Sequence, residues 1–243
     1  MMLFVEDRVI IRQLLAGVDF ATADPFAGQM LNFVYLIADR ESGEALLVDP
    51  AWDIAGLLGA VAAADLKLTG ILATHYHPDH IGGDLFGHQV EGLADLKEQV
   101  DVPVHVHRRE ADGVRQMTGL AAHDLVLHDG DDVVQVGDIP VRLLHTPGHT
   151  PGSQCFLVGE KHLVSGDTLF VQGCGRVDLP GGDPDEMFRT LTQRLSTLPD
   201  DLILMPGHNY GGPPSASLGE VRRGNPYLQV RNQEDWRRLM GGT

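Results

Sequence analysis

With 243 residues, 43% hydrophobic and 21% charged, the chain has the size and composition of a soluble globular protein with a generous core, which argues against disorder and favours a single domain over residues 1–243. Its 34 acidic against 18 basic residues give a formal charge of -16, so the average surface repels phosphate backbones and anionic lipids and excludes nucleic acid and membrane as first partners. Two cysteines, Cys155 and Cys174, make no disulfide framework, residues 1–8 lack the apolar run of a signal peptide, and no window approaches the roughly eighteen apolar residues of a membrane span, which together imply a cytoplasmic protein.

Short apolar runs broken by Gly, Pro and Asp predict strands at Val9–Ile11, Asn32–Ile37, Ala45–Val48 and Gly70–Ala73. Between the last two, the alanine-rich stretch Asp53–Asp65 has apolar positions at helical spacing, and Asp53 is placed to cap it. Residues 84–101 read as helical or mixed, Val102–Val106 as strand, and Arg108–Met117 as a short helix. A strand-dense second half follows, at Asp124–Leu127, Asp132–Val136, Ile139–Leu144, Gln154–Val158 and His162–Ser165. Asp185–Leu198 predicts an amphipathic helix and Leu202–Met205 a last strand. Strands dominate, no repeat or Ser/Pro linker divides the chain, and the expected architecture is α/β: two sheets in a layered sandwich with helices outside.

Residues of ligand type follow these strands. His75, His77, Asp79 and His80 come directly after Ile71–Ala73, His149 follows Thr146-Pro-Gly148, Asp167 follows Ser165-Gly166, and His208 follows Pro206-Gly207. Loops anchored at one strand end can converge on one rim of a sheet, and their Gly and Pro residues permit the turns this needs. Five imidazoles and two carboxylates suit a first-row transition metal, whereas calcium or magnesium would want mostly oxygen. Seven ligands exceed what one tetrahedral ion uses, which favours two ions sharing a ligand, for which Asp167 is the first choice, and a water. His88, His105, His107, His123, His128 and His162 read as surface or hydrogen-bonded histidines, and His145 as the end of its strand.

His75-Tyr-His-Pro-Asp-His80, Thr146-Pro-Gly-His-Thr-Pro-Gly152, Ser165-Gly-Asp-Thr-Leu-Phe170 and Pro206-Gly-His-Asn-Tyr210 together resemble the motifs of the metallo-β-lactamase-fold metallohydrolases. The resemblance implies a four-layer αββα sandwich of two mixed sheets with metals at one edge. It assigns His75, His77 and His149 to one ion, Asp79, His80 and His208 to the other, and Asp167 to the bridge between them. Asp49, which ends the strand in Leu46-Leu-Val-Asp-Pro50, matches a position that orients ligands in the family. The implied cofactors are two divalent transition-metal ions, zinc first, with iron or manganese as alternatives.

Two branches of the family compete. Gly166-Asp-Thr-Leu-Phe170 leading to Gly173-Cys-Gly-Arg176 is similar to glyoxalase II-like thioesterases, in which the residues matching Arg176 and Tyr210 hold a glutathione thioester. The mechanism implied is attack on the thioester carbonyl by hydroxide held between two ions, with Asp79 and Asp167 at the reacting centre. Gly173-Cys-Gly-Arg-Val-Asp178 also resembles the persulfide dioxygenases, where a single iron would take His75, His149 and Asp167. Hydrolysis of a hydroxyacylglutathione-type thioester is the leading expectation; lactonase, nuclease or pure metal-binding roles rank below both. The 35 residues after His208 are fewer than the helical glutathione-binding domain of glyoxalase II, which points to a smaller or different thiol carrier. A segment around Phe86–Gln99 reads as extra chain beside the entrance, and self-association into a homo-oligomer stays open.

Overall fold

The computed structural model describes residues 1–241. Met2–Glu6 (β1) and Val9–Leu15 (β2) pair as a hairpin, and after a helical turn at Ala27–Met30 (α1) come Phe33–Asp39 (β3) and Glu44–Val48 (β4). Ile54–Ala62 (α2) crosses to Lys67–Leu72 (β5), its start capped as expected, with the Asp53 carboxylate accepting from Gly56 N at 2.8 Å. The short helix Pro78–Ile81 (α3) opens into a hairpin of Gly83–Leu85 (β6) and His88–Val90 (β7), and Leu93–Gln99 (α4) leads to Val104–His107 (β8), Ala111–Thr118 (α5) and Leu125–His128 (β9). Residues 84–101 are thus a hairpin followed by a helix, resolving the mixed reading.

Val133–Val136 (β10), Ile139–His145 (β11), Gln154–Val158 (β12) and His162–Gly166 (β13) are followed by Pro184–Arg189 (α6), Ile203–Pro206 (β14), Ala216–Ser217 (β15), Leu218–Gly224 (α7) and Gln233–Leu239 (α8). Past α6 the helical path continues through one wide turn, Thr190–Arg194, and one tight turn, Leu195–Thr197.

One sheet runs β1-β2-β3-β4-β5-β8-β9, antiparallel through β4 and parallel beyond it. The other runs β10-β11-β12-β13-β14-β15, with β13 and β14 its parallel pair. Strand periodicity sorts the side chains into layers. From β3, Phe33, Tyr35 and Ile37 enter the space between the sheets and meet Val141, Leu143, Phe156, Val158 and Val164 of the second sheet. Val34, Leu36 and Ala38 point the other way, onto Ile54, Leu57 and Val61 of α2. On the far side, Leu144, Cys155, Leu157 and Leu163 lie under Met187, Leu191, Val221 and Trp236. Helix, sheet, sheet, helix is therefore the order of the four layers. No helix among the described residues is long and apolar enough to cross a membrane.

Candidate metal centre

Four strand ends deliver the ligand-type residues to one rim. The chain leaves β5 at Leu72, and His77 stands at the start of α3, so Asp79 and His80 occupy its first turn. The ends of β11, β13 and β14 lead to His149, Asp167 and His208. Two glycines let these loops close up. Gly166 has φ +47, and a Cβ there would lie 2.7 Å from Thr74; a Cβ on Gly207 would lie 2.3 Å from Asp167 Oδ1.

All seven side chains meet, each at most 8% exposed except the half-buried His77. His77 Nδ1 lies 3.0 Å from both His75 Nε2 and His149 Nε2. In a second group, His80 Nε2 and His208 Nε2 are 3.1 Å apart, with Asp79 Oδ2 3.4 and 3.3 Å from them. Asp167 stands between the groups, its Oδ1 3.3 Å from His80 Nε2 and its Oδ2 3.3 Å from His208 Nε2 and 3.7 Å from His149 Nε2. Ligand atoms of a tetrahedral zinc site with bonds near 2.0–2.1 Å sit about 3.3 Å apart. The spacing fits two cations.

The reverse sides of the rings say the same. His149 Nδ1 donates to Arg176 O at 2.7 Å, His208 Nδ1 to Met30 O at 2.8 Å, and His80 Nδ1 to Asp49 Oδ2 at 2.9 Å. Thr74 Oγ1 donates to Asp49 Oδ2 at 2.6 Å, so it accepts from His75 Nδ1 at 2.9 Å. With those protons committed, the facing nitrogens present lone pairs, and a cation is what can lie between them. Asp167 Oδ1, buried without a hydrogen-bond partner, is a further site for positive charge. Burial, reinforced by neighbouring imidazoles, lowers His75 well below the usual histidine range and His77 to about 4. Burial also opposes charge on His80 and His208, but Asp79 and Asp167 outweigh it and raise both, His208 to about 9. That end of the site calls for positive charge.

Asp49 adopts φ +51 at the end of β4 and ties three groups together, accepting from Thr74 N at 2.7 Å besides Thr74 Oγ1 and His80. Two supporting residues were not singled out by the sequence. Asn32, 1% exposed, donates to Asp79 Oδ2 at 3.0 Å and accepts from Trp52 Nε1 at 3.1 Å. Glu110 accepts from Tyr76 N at 2.8 Å, Thr150 Oγ1 at 2.8 Å and Gly152 N at 2.6 Å, joining the His75–His77 loop to the His149 loop. Burial pushes its carboxyl up to about 7 despite these three donors.

Arg176 and Tyr210 both line the cavity of about 740 Å³ above the centre. The Tyr210 ring stacks on His208 at 4.5 Å. The guanidinium of Arg176 is bound through Nε and Nη2, each at 2.8 Å, by Asp178, a partner the sequence reading did not foresee. The remaining histidines stay away from the centre. His88 pairs with Asp24, His105 with His128, and His107 stacks on His145, the last residue of β11.

The family model described as "Metallo-beta-lactamase superfamily" matches residues 27–208. The chain belongs to that superfamily. Within it, the chain is 36% identical over 204 residues to a hydroxyacylglutathione hydrolase of Rhodopseudomonas palustris, covering 84% of this chain and 72% of the relative. It is 30% identical over 241 residues to the human mitochondrial persulfide dioxygenase ETHE1, covering 96% and 87%. The crystal structure of ETHE1 from Myxococcus xanthus superposes with a TM-score of 0.75 at 31% identity, covering 95% of this chain and 89% of that one. The superfamily's fold and its capacity for divalent metal therefore hold here, and the two enzyme names mark two chemistries on one scaffold.

Proposed function

We propose that the protein is a two-metal hydrolase of thioesters. The observation that carries this reading is the second ligand group: His80 Nε2 faces His208 Nε2 at 3.1 Å beside Asp79, with both rear nitrogens hydrogen-bonded. A single ion on His75, His149 and Asp167 would leave that group without a metal. His75, His77 and His149 would hold one cation and Asp79, His80 and His208 the other, with Asp167 placed to serve both. Bound there, such cations supply a water acidic enough to attack near neutral pH and an electrophile for the carbonyl oxygen.

The chain's own groups do the rest. Asp79 and Asp167, held below the usual carboxylate range because the facing imidazoles outweigh the cost of burial, stay ionised and bind charge instead of protons. Tyr210, 60% exposed at the mouth and fixed against His208, offers a hydroxyl to an acyl or carrier carbonyl. Cysteine is not the nucleophile, since burial pushes the Cys174 thiol up to about 12. Zinc suits the donor set best.

The second reading, persulfide dioxygenase, is favoured by the likeness to ETHE1 along nearly the whole chain. Thiol release from thioesters and oxygen uptake with glutathione persulfide, measured on the same metal-analysed preparation, separate the two. The hydrolase reading expects thiol release that disappears in His208→Ala. Oxygen uptake without thioester cleavage would overturn it.

A further inference from the structure

Away from the ligands, the wall of the cavity has a large apolar part, formed by Met30, Phe86, Met117, Val171, Leu179 and Tyr227, beside the polar Gln172 and Asn209. Phe86 is the unusual member. It sits at the tip of the β6–β7 hairpin, where Leu85 pairs with His88 across a two-residue turn, and it has φ +54 followed by Gly87 at +87. Such a turn favours Asn, Asp or Gly at its first position, and a bulky residue there is held in a disfavoured conformation. The Phe86 side chain is also 94% exposed, so folding gains nothing from its burial. Both costs have an explanation if something bound in the cavity covers the ring.

Charge points the same way. Arg176 is the one Lys or Arg side chain among the described residues lining the cavity, and one edge of its guanidinium, Nε and Nη2, is paired with Asp178. Asp84 adds a carboxylate to the same wall. A carrier with two carboxylates, such as glutathione, meets a single cationic side chain here, and that one already shares its charge with Asp178.

We propose that the cavity binds an apolar acyl chain, and that the substrate is a thioester of such a chain on a carrier without negative charge near the sulfur. Phe86, Met30 and Met117 set the chain-length preference, methionine adapting its shape to a flexible chain. This rests on the thioesterase reading and names its substrate class. Water adds its oxygen to the acyl carbon, the C–S bond breaks, and the thiol leaves carrying a proton.

The test compares kcat/KM for the acetyl, butanoyl, hexanoyl and octanoyl thioesters of N-acetylcysteamine with that for lactoylglutathione. The expected result is a rise of up to about fourfold per methylene added, with octanoyl above lactoylglutathione and about a tenfold loss on octanoyl in Phe86→Ala. Calorimetric titration of the metal-loaded protein with the corresponding acyl amides, NH in place of sulfur, reads binding apart from chemistry. Affinity should tighten with chain length, with a negative heat-capacity change, and weaken in Phe86→Ala. If no thioester is cleaved while the amides still tighten with length, the hydrolase reading fails and the acyl cavity stands. Amide affinities independent of length, or a preference for lactoylglutathione, overturn the acyl cavity.

Discussion

Asp49 ties together several groups of the candidate metal centre. Its carboxylate receives the His80 ring, the Thr74 hydroxyl and the Thr74 amide, and the same hydroxyl fixes the His75 ring. Removing a group that orients ligands in this way typically costs about 10–100-fold in metal affinity. Asp49→Ala should show a loss of that size, read by competition with a chelator, and unchanged affinity would mean that His75 and His80 hold their orientation without it. The seven ligand-type residues were legible as candidates because their motifs are local, each a few residues long beside a Gly or Pro, while Asp49 came only through the family resemblance. Asn32 and Glu110 were not, since each looks like the polar end of an ordinary element. Their importance lies in partners far along the chain, 47 residues away for Asn32 and Asp79, and 40 for Glu110 and Thr150.

Among the elements, the strands buried on both faces were the easiest to read. β3 is buried along all seven residues; Phe33–Ala38 supply the apolar run that such a strand needs, and only Asp39 at its end is charged. β1 has no buried residue; its apolar run Met2–Val5 lies at the chain start with no turn residues before it, and it was not read as a strand. α7 and α8 were also missed: they are seven residues each, too short for a periodic signal, and their starts are marked only by the caps Ser217 and Asn232. The β6–β7 hairpin was obscured by Phe86, whose turn conformation its residue type disfavours.

One tie between the sheets carries a prediction of its own. Asp39, at the end of β3, accepts from Arg8 Nη2 at 2.7 Å and from Asp138 N at 3.1 Å in the β10–β11 turn. The Arg8 guanidinium, outweighing burial, holds the Asp39 carboxyl well below the usual carboxylate range. A depressed carboxyl contributes stability that is complete above its ordinary pKa near 4 and drains away as pH falls further. Asp39→Ala should therefore lower Tm by about 4 °C or more at neutral pH, and the gap from the parent protein should narrow in acid. A gap that stayed constant down to pH 2 would assign the loss to packing instead.

Across the whole molecule, three apolar layers separate two sheets and their outer helices, and the strand ends meet at one rim. Short apolar runs broken by Gly, Pro and Asp made the sandwich readable in advance. Substrate preference was harder to read because it depends on walls assembled from β6–β7, α5 and the loops around Val171, Leu179 and Tyr227, which no single stretch of sequence reveals. Everything proposed about chemistry depends on both ligand groups holding metal. Elemental analysis of the purified protein beside its His208→Ala variant tests this most directly: two divalent first-row ions per chain are expected in the parent and one in the variant. One ion in each would contradict the account.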